Sequence, residues 1–407
     1  MALVLTVFVL VYAGMALGRF PGLQLDRTGI ALLGALLLYL GGAVAGEQAW
    51  RAIDFPTLFI LFGLMLLSAQ FAASGFYDVC ALRIARAQGS PLRLLAITVA
   101  VAGNLAAVLA NDVVVFAMTP LLCSGLQARG LDPRPYLIAL AGAANAGSAA
   151  TMIGNPQNIL IAQVGRLEFW PFLAACGVPA LAGMACVFAV VAWVWRGRFH
   201  LGEATTAPLS VTLDRWQLRK ALLATVVLLV LFATPLPHES GVLMVAGALL
   251  VSRRLASRRM LGMVDWHLLI LFAGLFVVTD ALAATGLSAR LVQWLAGHGL
   301  SPERLLALAP FTLVGSNTIG NVPMIMLVLS VWPELGSGSY YALAILSTLA
   351  GNLLLIGSLA NIIVVERARE AGVRLGFVEH ARCGIPMTLL SMALALAWLW
   401  GSGLLAL

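Results

Sequence analysis

Asparagine side chains lie beside presumed breaks in helical segments at four places in this sequence. The four stretches read LANDVV from Leu109, GNPQN from Gly154, GSNTIGNVP from Gly315 and GSLAN from Gly357. A carboxamide offers two N–H donors and an oxygen acceptor, and a broken helix leaves backbone amides and carbonyls free. Half-helix N-termini attract anions, whereas unwound carbonyls hold cations. The four stretches therefore indicate that the chain binds ions or small solutes.

All nine asparagines of the chain fall within segments 92–124, 135–163, 303–331 and 339–365. The alternative interpretation is that carboxamides only join helices through hydrogen bonds. That alternative accounts for a single asparagine better than for repeated asparagines beside breaks. We therefore favour a binding role.

Two carboxylates are candidates for coupling transport to an ion. Asp112 follows an asparagine at one presumed break, where a carboxylate can take up a proton or coordinate a cation. A structural carboxylate that accepts hydrogen bonds from freed amides is the alternative. For Asp280, a coupling site and an interhelical hydrogen bond are equally compatible with the sequence. Asp54, Asp265 and His267 lie at the ends of apolar segments and are expected to be interfacial.

The composition is that of a polytopic helical membrane protein. Of 407 residues, 61% are hydrophobic and 10% are charged, with a mean hydropathy of +0.99, which a soluble protein of this size does not show. The net charge of +7 is expected to mark cytoplasmic loops rather than a nucleic-acid partner. The first apolar run, 2–17, lacks a basic leader and is predicted to be an uncleaved span.

The sequence contains no signature of an enzyme or of a bound metal cofactor. It has no HExxH, GxSxG or Walker pattern, and its five cysteines form no CxxC pair. We therefore expect neither catalysis nor an organic cofactor, and the cysteines are interpreted as small core residues.

Apolar runs divide the chain into two sets of six elements, around a cytoplasmic linker at 199–217. The first repeat, 1–198, contains 2–17, 28–46, 55–75, 92–124, 135–163 and 169–195, and the second, 218–407, contains 218–234, 239–252, 266–286, 303–331, 339–365 and 383–405. The stretch from Ile53 to Phe76 aligns without a gap to that from Val264 to Leu287, and MIGNPQNI aligns to LIGSLANI. Matches in the same order indicate an internal duplication.

The distribution of basic residues predicts that 92–124 and 303–331 are re-entrant hairpins rather than spans. If both crossed the membrane, the 24 Lys and Arg residues would divide evenly between its two sides. With hairpins, all but Arg51, Arg166, Arg290 and Arg304 lie on one side, which is then cytoplasmic. Each repeat has five spans in this arrangement, so the repeats are inverted and both termini are periplasmic. The predicted fold class is an all-α polytopic membrane protein with two inverted repeats and unwound helices, 135–163 and 339–365, at the midplane.

At these motifs the chain resembles the ion transporter superfamily, which includes arsenite permeases, sodium/proton antiporters, and citrate and dicarboxylate carriers. The resemblance rests on ANDVVVFAMTPLL from Ala110, GNPQNILIA from Gly154, VDWHLLILFAGLF from Val264, GNVPMIML from Gly320 and GNLLLIGSLANIIV from Gly351. It is strongest to arsenite-permease-like and citrate-transporter-like proteins of bacteria. It implies two hairpins and two unwound spans that meet near the midplane, often in a homodimer whose substrate domain moves like an elevator.

The hairpin tips depart from the Ser-Asn-Thr pattern with which the dicarboxylate carriers bind sodium and a substrate carboxylate. The resemblance assigns the asparagine role to Asn111, but Ala110 and Asp112 stand where serine and threonine would be. The second tip carries Asn321, with a Ser-Asn-Thr triplet one turn earlier, from Ser316. The Asn-Asp pair is more similar to the arsenite and antiporter branches, where the proton motive force is the usual drive.

The predicted function is secondary active transport of a small anion or oxyanion, such as a carboxylate or arsenite, across a bacterial inner membrane, coupled to protons or sodium. The alternative is a cation/proton antiporter, and a channel is less favoured. The expected partners are the substrate, the lipid bilayer and a second copy of the chain. The expected substrate- or ion-binding residues are Asn111, Asp112, Ser148, Thr151, Gly154, Asn155, Pro156, Asn158, Ser316, Asn317, Thr318, Asn321, Pro323, Asn352, Gly357, Ser358 and Asn361. Asp112 and Asp280 are the coupling candidates, and Asn111, Gly154 and Asn155 are the candidate sodium ligands.

Overall fold

The computed structural model describes residues 1–18, 22–200, 211–287, 290, 292, 303–332 and 335–406. Within these ranges the regular secondary structure consists of helices, and no β-strand forms. The helices are α1 Ala2–Leu17, α2 Arg27–Leu40, α3 Gly46–Ala52, α4 Phe55–Ala73, α5 Phe76–Arg86, α6 Pro91–Val108, α7 Asn111–Gln127, α8 Pro133–Ser148, α9 Pro156–Val164, α10 Phe169–Val194, α11 Arg215–Leu231, α12 His238–Leu250, α13 Ser257–Leu261, α14 Trp266–Ala284, α15 Leu305–Thr318, α16 Asn321–Val331, α17 Ser337–Ala350, α18 Leu359–Glu370 and α19 Phe377–Gly401. The prediction of an all-α polytopic membrane protein is confirmed.

Among the described helices, five are long and apolar enough to cross a membrane: α4, α6, α10, α14 and α19. Several others, including α1, α2, α12, α15 and α16, are apolar but shorter. A helix of 14 residues such as α2 rises only about 21 Å, less than a typical hydrocarbon core of about 30 Å. The predicted count of ten spans, the inverted orientation of the repeats and the side on which the termini lie stay predictions.

The helix boundaries differ from the predicted elements at several places. The predicted span 28–46 ends early, because Gly41 and Gly42 terminate α2 and Gly42 adopts a positive φ of 69°. Three short helices, α3, α5 and α13, form in segments interpreted as connections between spans. Of these, α5 follows Gly75, whose φ of 75° suits glycine.

The four segments that contain the asparagines each form a pair of helices. In 92–124, α6 ends at Val108 and α7 begins at Asn111, and in 303–331, α15 ends at Thr318 and α16 begins at Asn321. In 135–163, α8 ends at Ser148 and α9 begins at Pro156. In 339–365, α17 ends at Ala350 and α18 begins at Leu359, with one 3-10 turn between them.

The helices pack as two groups, which we call the inner and the outer group. The inner group consists of α6–α10 and α15–α19. The outer group consists of α1, α2, α4, α11, α12 and α14. Within the outer group, α2 packs on α1 and α14, and α4 packs on α11 and α12. In the inner group, every residue of α8 except Arg134 is buried, as is every residue of α17 except Ser337. Small residues permit this density: a Cβ added at Gly147 of α8 would lie 2.2 Å from the carbonyl oxygen of Gly103 in α6. The core of the molecule therefore lies around α8 and α17.

Candidate functional site

The break between α8 and α9 is stabilised by the side chain of Asn158. Its Nδ2 donates to the carbonyl oxygens of Ser148 at 3.2 Å and Thr151 at 2.9 Å, ten and seven residues earlier in the chain. The Asn155 carboxamide caps α9 by accepting a hydrogen bond from the Asn158 amide at 2.9 Å. The carbonyls that the broken helix leaves free are thus satisfied within the break.

The break between α17 and α18 is stabilised in the same way by Asn361. Its Nδ2 donates to the carbonyl oxygens of Gly351 at 2.9 Å and Leu354 at 3.2 Å, again ten and seven residues earlier. Ser358 caps α18 by accepting from the Ala360 amide at 3.2 Å. These are the residues that the alignment of MIGNPQNI with LIGSLANI pairs, so the two breaks share one local geometry.

Asn145 of α8 links the first hairpin to the second break. Its Oδ1 accepts from the Ser358 hydroxyl at 2.9 Å and from Asn111 Nδ2 at 3.4 Å. Its Nδ2 donates to Asn352 Oδ1 at 2.8 Å and to Asn361 Oδ1 at 3.2 Å. These four bonds use the full hydrogen-bonding capacity of a carboxamide. Asn145 therefore holds other site residues in place and has no group left for a solute.

A second link joins the first break to α17 through Thr348. The Thr348 hydroxyl oxygen accepts from Asn155 Nδ2 at 3.3 Å and from Gln157 Nε2 at 3.2 Å. Asn155 also donates to the Ser148 hydroxyl at 3.0 Å. Asn145, Gln157 and Thr348 were absent from the predicted site. When the alignment of MIGNPQNI with LIGSLANI is extended towards the N-terminus, it pairs Asn145 with Thr348. This pairing was the signal in the sequence that could have identified these two residues.

The second hairpin contacts the second break through Asn317. Its Nδ2 donates to the Ala350 carbonyl oxygen at 2.8 Å, and its Oδ1 accepts from the Leu354 amide at 3.3 Å. A Cβ at Gly357 would lie 2.3 Å from Asn317 Oδ1, so this close approach requires glycine. Ser316 lies nearby and donates to the Ser347 carbonyl oxygen at 3.4 Å.

The first hairpin contacts the first break through backbone groups. The Asn111 amide donates to the Gly154 carbonyl oxygen at 3.2 Å, and the Thr151 hydroxyl donates to the carbonyl oxygen of Ala107. A Cβ at Gly154 would lie 2.3 Å from the Ser148 carbonyl oxygen. Both hairpins are therefore joined to a break by side-chain or backbone hydrogen bonds.

A cavity of about 490 Å³ lies where the hairpin tips and the breaks meet the outer group. The first residue of each of four helices of the inner group lines it: Asn111 of α7, Pro156 of α9, Asn321 of α16 and Leu359 of α18. The N-terminus of a helix carries a partial positive charge and unpaired amides. Four such ends at one cavity favour an anionic or oxygen-rich solute.

Predicted site residues occupy the inner wall of this cavity. The lining includes Asn111, Asp112, Pro156, Asn321, Pro323, Gly357 and Ser358. The outer wall contains polar residues that the sequence analysis did not assign to the site: Asp26, Arg27, Asp265 and His267. Asp265 was expected to be interfacial because it lies at the end of an apolar segment; in the structure it caps the start of α14 by accepting from the Leu268 amide at 3.0 Å.

The other predicted residues do not line this cavity, and Thr318 and Asp280 also take no part in the contacts between the hairpins and the breaks. Thr318 is exposed, and its hydroxyl donates to the Val314 carbonyl oxygen of its own helix at 2.8 Å. Asp280 accepts a hydrogen bond from Gln48 Nε2 at 3.4 Å, between α14 and α3. This contact favours the interhelical hydrogen bond over the coupling site for Asp280, whose role in coupling stays a prediction.

Two carboxamide oxygens of the inner group have no hydrogen-bond partner among the described residues. Within the described residues, Asn158 Oδ1 and Asn321 Oδ1 are buried and receive no hydrogen bond. The described part of the chain has no cluster of three or more His, Cys, Asp or Glu side chains that could hold a metal ion. A coupling cation would therefore depend on amide and carbonyl oxygens together with a single carboxylate, for which Asp112 is the predicted candidate.

Comparison with known proteins identifies the family. The sequence model of the citrate transporter (CitMHS) family matches residues 7–338. The chain belongs to the citrate transporter family. The match confirms the resemblance to citrate-transporter-like proteins, and the protein is accordingly a membrane transporter.

Relatives of this citrate transporter family member extend over nearly the whole chain. It is 30% identical to a 46 kDa membrane protein of Mycobacterium leprae, with 97% of each chain covered. It is 29% identical to the silicon efflux transporter LSI3 of Oryza sativa, covering 92% of this chain and 93% of the relative. Among solved structures, the YdaH transporter of Alcanivorax borkumensis matches with a TM-score of 0.50 and 16% identity, over 99% of this chain and 97% of YdaH. The YdaH match supports the fold alone.

Proposed function

We propose that the protein is a secondary active transporter of a small anion or oxyanion, coupled to protons, in a bacterial inner membrane. The observation that carries this proposal is the convergence of four helix N-termini, those of α7, α9, α16 and α18, on one cavity. Amides and helix dipoles can bind an anion without a full counter-charge. Transporters use such half-helix ends to hold anionic groups of a substrate near the membrane centre.

The size of the cavity supports a small solute. A volume of about 490 Å³ is in the lower half of the range for small-molecule sites, about 300–1,000 Å³. The related proteins carry names that refer to citrate, to silicon efflux and, for a relative from Dictyostelium discoideum that is 22% identical, to arsB. We propose that this chain likewise carries a compact solute rich in oxygen atoms.

The charge balance of the cavity supports proton coupling. Four carboxylates, those of Asp26, Asp112, Asp265 and Glu366, line it together with one arginine. Asp26 and Asp265 each accept a hydrogen bond from an amide at the start of α2 or α14, at 2.8 and 3.0 Å, which offsets part of their charge. Asp112 belongs to the inner wall and lies in the first turn of α7, beside the space that a solute would occupy.

An anion beside an ionised Asp112 would be repelled. At an effective dielectric constant of 20, two like charges about 5 Å apart repel by about 3 kcal/mol, which weakens binding by roughly 100-fold. Protonation of Asp112 removes this repulsion, so the anion and a proton would bind together. Binding is then favoured at lower pH, and an inward proton gradient drives accumulation of the anion.

The experiment is uptake by purified protein in liposomes with an imposed pH gradient. Citrate serves as the anionic probe, and Asp54→Asn serves as the matched control because Asp54 lies outside the cavity. Wild type and Asp54→Asn should accumulate citrate against its gradient, whereas Asp112→Asn should bind it but lose the response to the pH gradient. If Asp112→Asn retains the full response, the assignment of Asp112 is wrong. If no anion moves in the wild type, the proposed substrate class is wrong.

The surplus of carboxylates in the cavity also supports a second candidate, cation/proton antiport. An ionised Asp112 could hold a cation at the inner wall of the cavity. Addition of sodium or potassium to acid-loaded liposomes would then release protons from the lumen. Anion symport predicts no such release, so this assay distinguishes the two functions.

A further inference from the structure

Arg27 places a full positive charge beside the tip of the second hairpin. It is the first residue of α2 and lines the cavity. A Cβ added at Gly320 would lie 3.7 Å from Arg27 Nη1, so the guanidinium is adjacent to the backbone that precedes Asn321. The Nε atom donates to the Met15 carbonyl oxygen at 3.2 Å, which orients the side chain towards the cavity.

Within the described residues, Arg27 has no salt-bridge partner. Its neighbour Asp26 is engaged with the Gly29 amide at 2.8 Å, and Asp265 is engaged with the Leu268 amide. The terminal nitrogens of a guanidinium carry four N–H donors in a planar fork that matches a carboxylate or a similar oxyanion. A half-buried guanidinium that lacks a counter-ion is costly, which favours its compensation by an anionic ligand.

Arg27 and the helix N-termini belong to different helix groups. Arg27 lies on α2 of the outer group, which packs on α1 and α14, whereas Asn111 and Asn321 lie in the inner group. Alternating access requires one bundle to move relative to another so that the site faces each side of the membrane in turn. In such a motion the inner group moves with the bound solute relative to the outer group, so the solute separates from Arg27.

The cavity reaches the surface through exposed residues close to the predicted cytoplasmic segments. Asp26, Asp265 and Glu366 are exposed parts of its lining, and each adjoins a segment that the distribution of basic residues places on the cytoplasmic side. The structure is therefore interpreted as the state that is open to the cytoplasm.

We propose that Arg27 is a specificity-determining residue that recognises the negative charge of the solute only in the cytoplasm-open state. This proposal rests on the proposed anion transport and adds that affinity differs between the two sides of the membrane. An anionic solute would bind more tightly from the cytoplasmic side, where Arg27 takes part. A neutral solute would show little difference between the sides.

The test compares Arg27→Gln and Arg27→Lys with wild type in inside-out and right-side-out membrane vesicles. Arg219→Gln is the matched control, because Arg219 is an exposed arginine of α11 on the same predicted side. The probes are citrate, which is anionic at neutral pH, and arsenious acid, which is uncharged. Loss of a charge-assisted contact should raise the half-saturating concentration of citrate from the cytoplasmic side about 10- to 100-fold.

Arg27→Gln should leave the half-saturating concentration from the other side, and that of arsenious acid, within about twofold of wild type. Arg27→Lys should restore part of the cytoplasmic affinity for citrate. Equal values for Arg27→Gln and Arg219→Gln would overturn the proposal while leaving anion transport intact. Failure of the wild type to transport citrate or another carboxylate would instead refute the proposed function.

A measurement on the wild type covers the case in which the Arg27 variants do not fold. The half-saturating concentration of citrate should be lower from the cytoplasmic side than from the other side, whereas arsenious acid should show no such difference. Equal citrate values on the two sides would refute the role of Arg27.

Discussion

Replacement of Asn145 by alanine should destabilise the protein more than replacement of any single residue that lines the cavity. The substitution removes four hydrogen bonds, at 2.9, 3.4, 2.8 and 3.2 Å. It leaves Asn352 Oδ1 and Asn361 Oδ1 buried without the donor that each now receives. At about 1 kcal/mol for each lost bond, the free energy of unfolding should fall by about 4 kcal/mol.

The matched control for this prediction is Asn104→Ala in α6. Asn104 is exposed, and its Nδ2 donates only within its own helix, to the Ala100 carbonyl oxygen at 2.8 Å. Its replacement should change the free energy of unfolding by less than about 1 kcal/mol. Thermal unfolding of the two variants in detergent measures the difference, and Asn145→Ala should unfold at least about 3 °C below Asn104→Ala. Equal unfolding temperatures would refute the inference that Asn145 supports the inner group.

Two further substitutions examine the same framework. Gly357→Ala should lower both stability and transport, because the added Cβ would lie 2.3 Å from Asn317 Oδ1. The unfolding temperature and the rate of uptake into liposomes should both fall. Wild-type values for both would contradict the close packing of Gly357 against Asn317. Thr348→Val removes the acceptor shared by Asn155 and Gln157 at 3.3 and 3.2 Å and should lower the free energy of unfolding by about 2 kcal/mol. Thr348→Ser, which keeps the hydroxyl, should remain within about 1 kcal/mol of wild type, and a loss in Thr348→Ser as large as that in Thr348→Val would contradict a dominant role of the hydroxyl.

The sequence was informative where local chemistry determines structure. The breaks at Gly154 and Gly357 could be located because asparagine, proline and glycine disfavour an uninterrupted helix, and the helices end within a few residues of the expected positions. The capping roles of Asn155 and Ser358 also follow from local preference. Residues close in sequence could thus be assigned to one element with no knowledge of tertiary structure.

The outer wall of the cavity could not be predicted from the sequence. Asp26, Arg27 and Asp265 lie at helix starts, where a charged residue is ordinary at a membrane boundary. Their position at the cavity depends on how α2 packs on α14 and how α14 packs on α16, which are long-range contacts. Helical periodicity specifies a face of each helix but not which distant face it meets. The same limit applies to Asn145, whose role depends on partners more than 200 residues away for three of its four bonds.

Hydrogen-bond saturation divides the polar residues of the candidate site into two sets with different roles. Asn145 and the Nδ2 groups of Asn158 and Asn361 are fully engaged with protein acceptors, so a solute could bind there only by breaking existing bonds. Such buried networks lose about 1–3 kcal/mol for each group left unpaired. By contrast, Asp112 and Asn321 line open space, and Asn321 Oδ1 receives no hydrogen bond among the described residues. Solute recognition is therefore expected at the hairpin tips and at Arg27, whereas the asparagines of the breaks hold the four helix N-termini in the positions that make recognition possible.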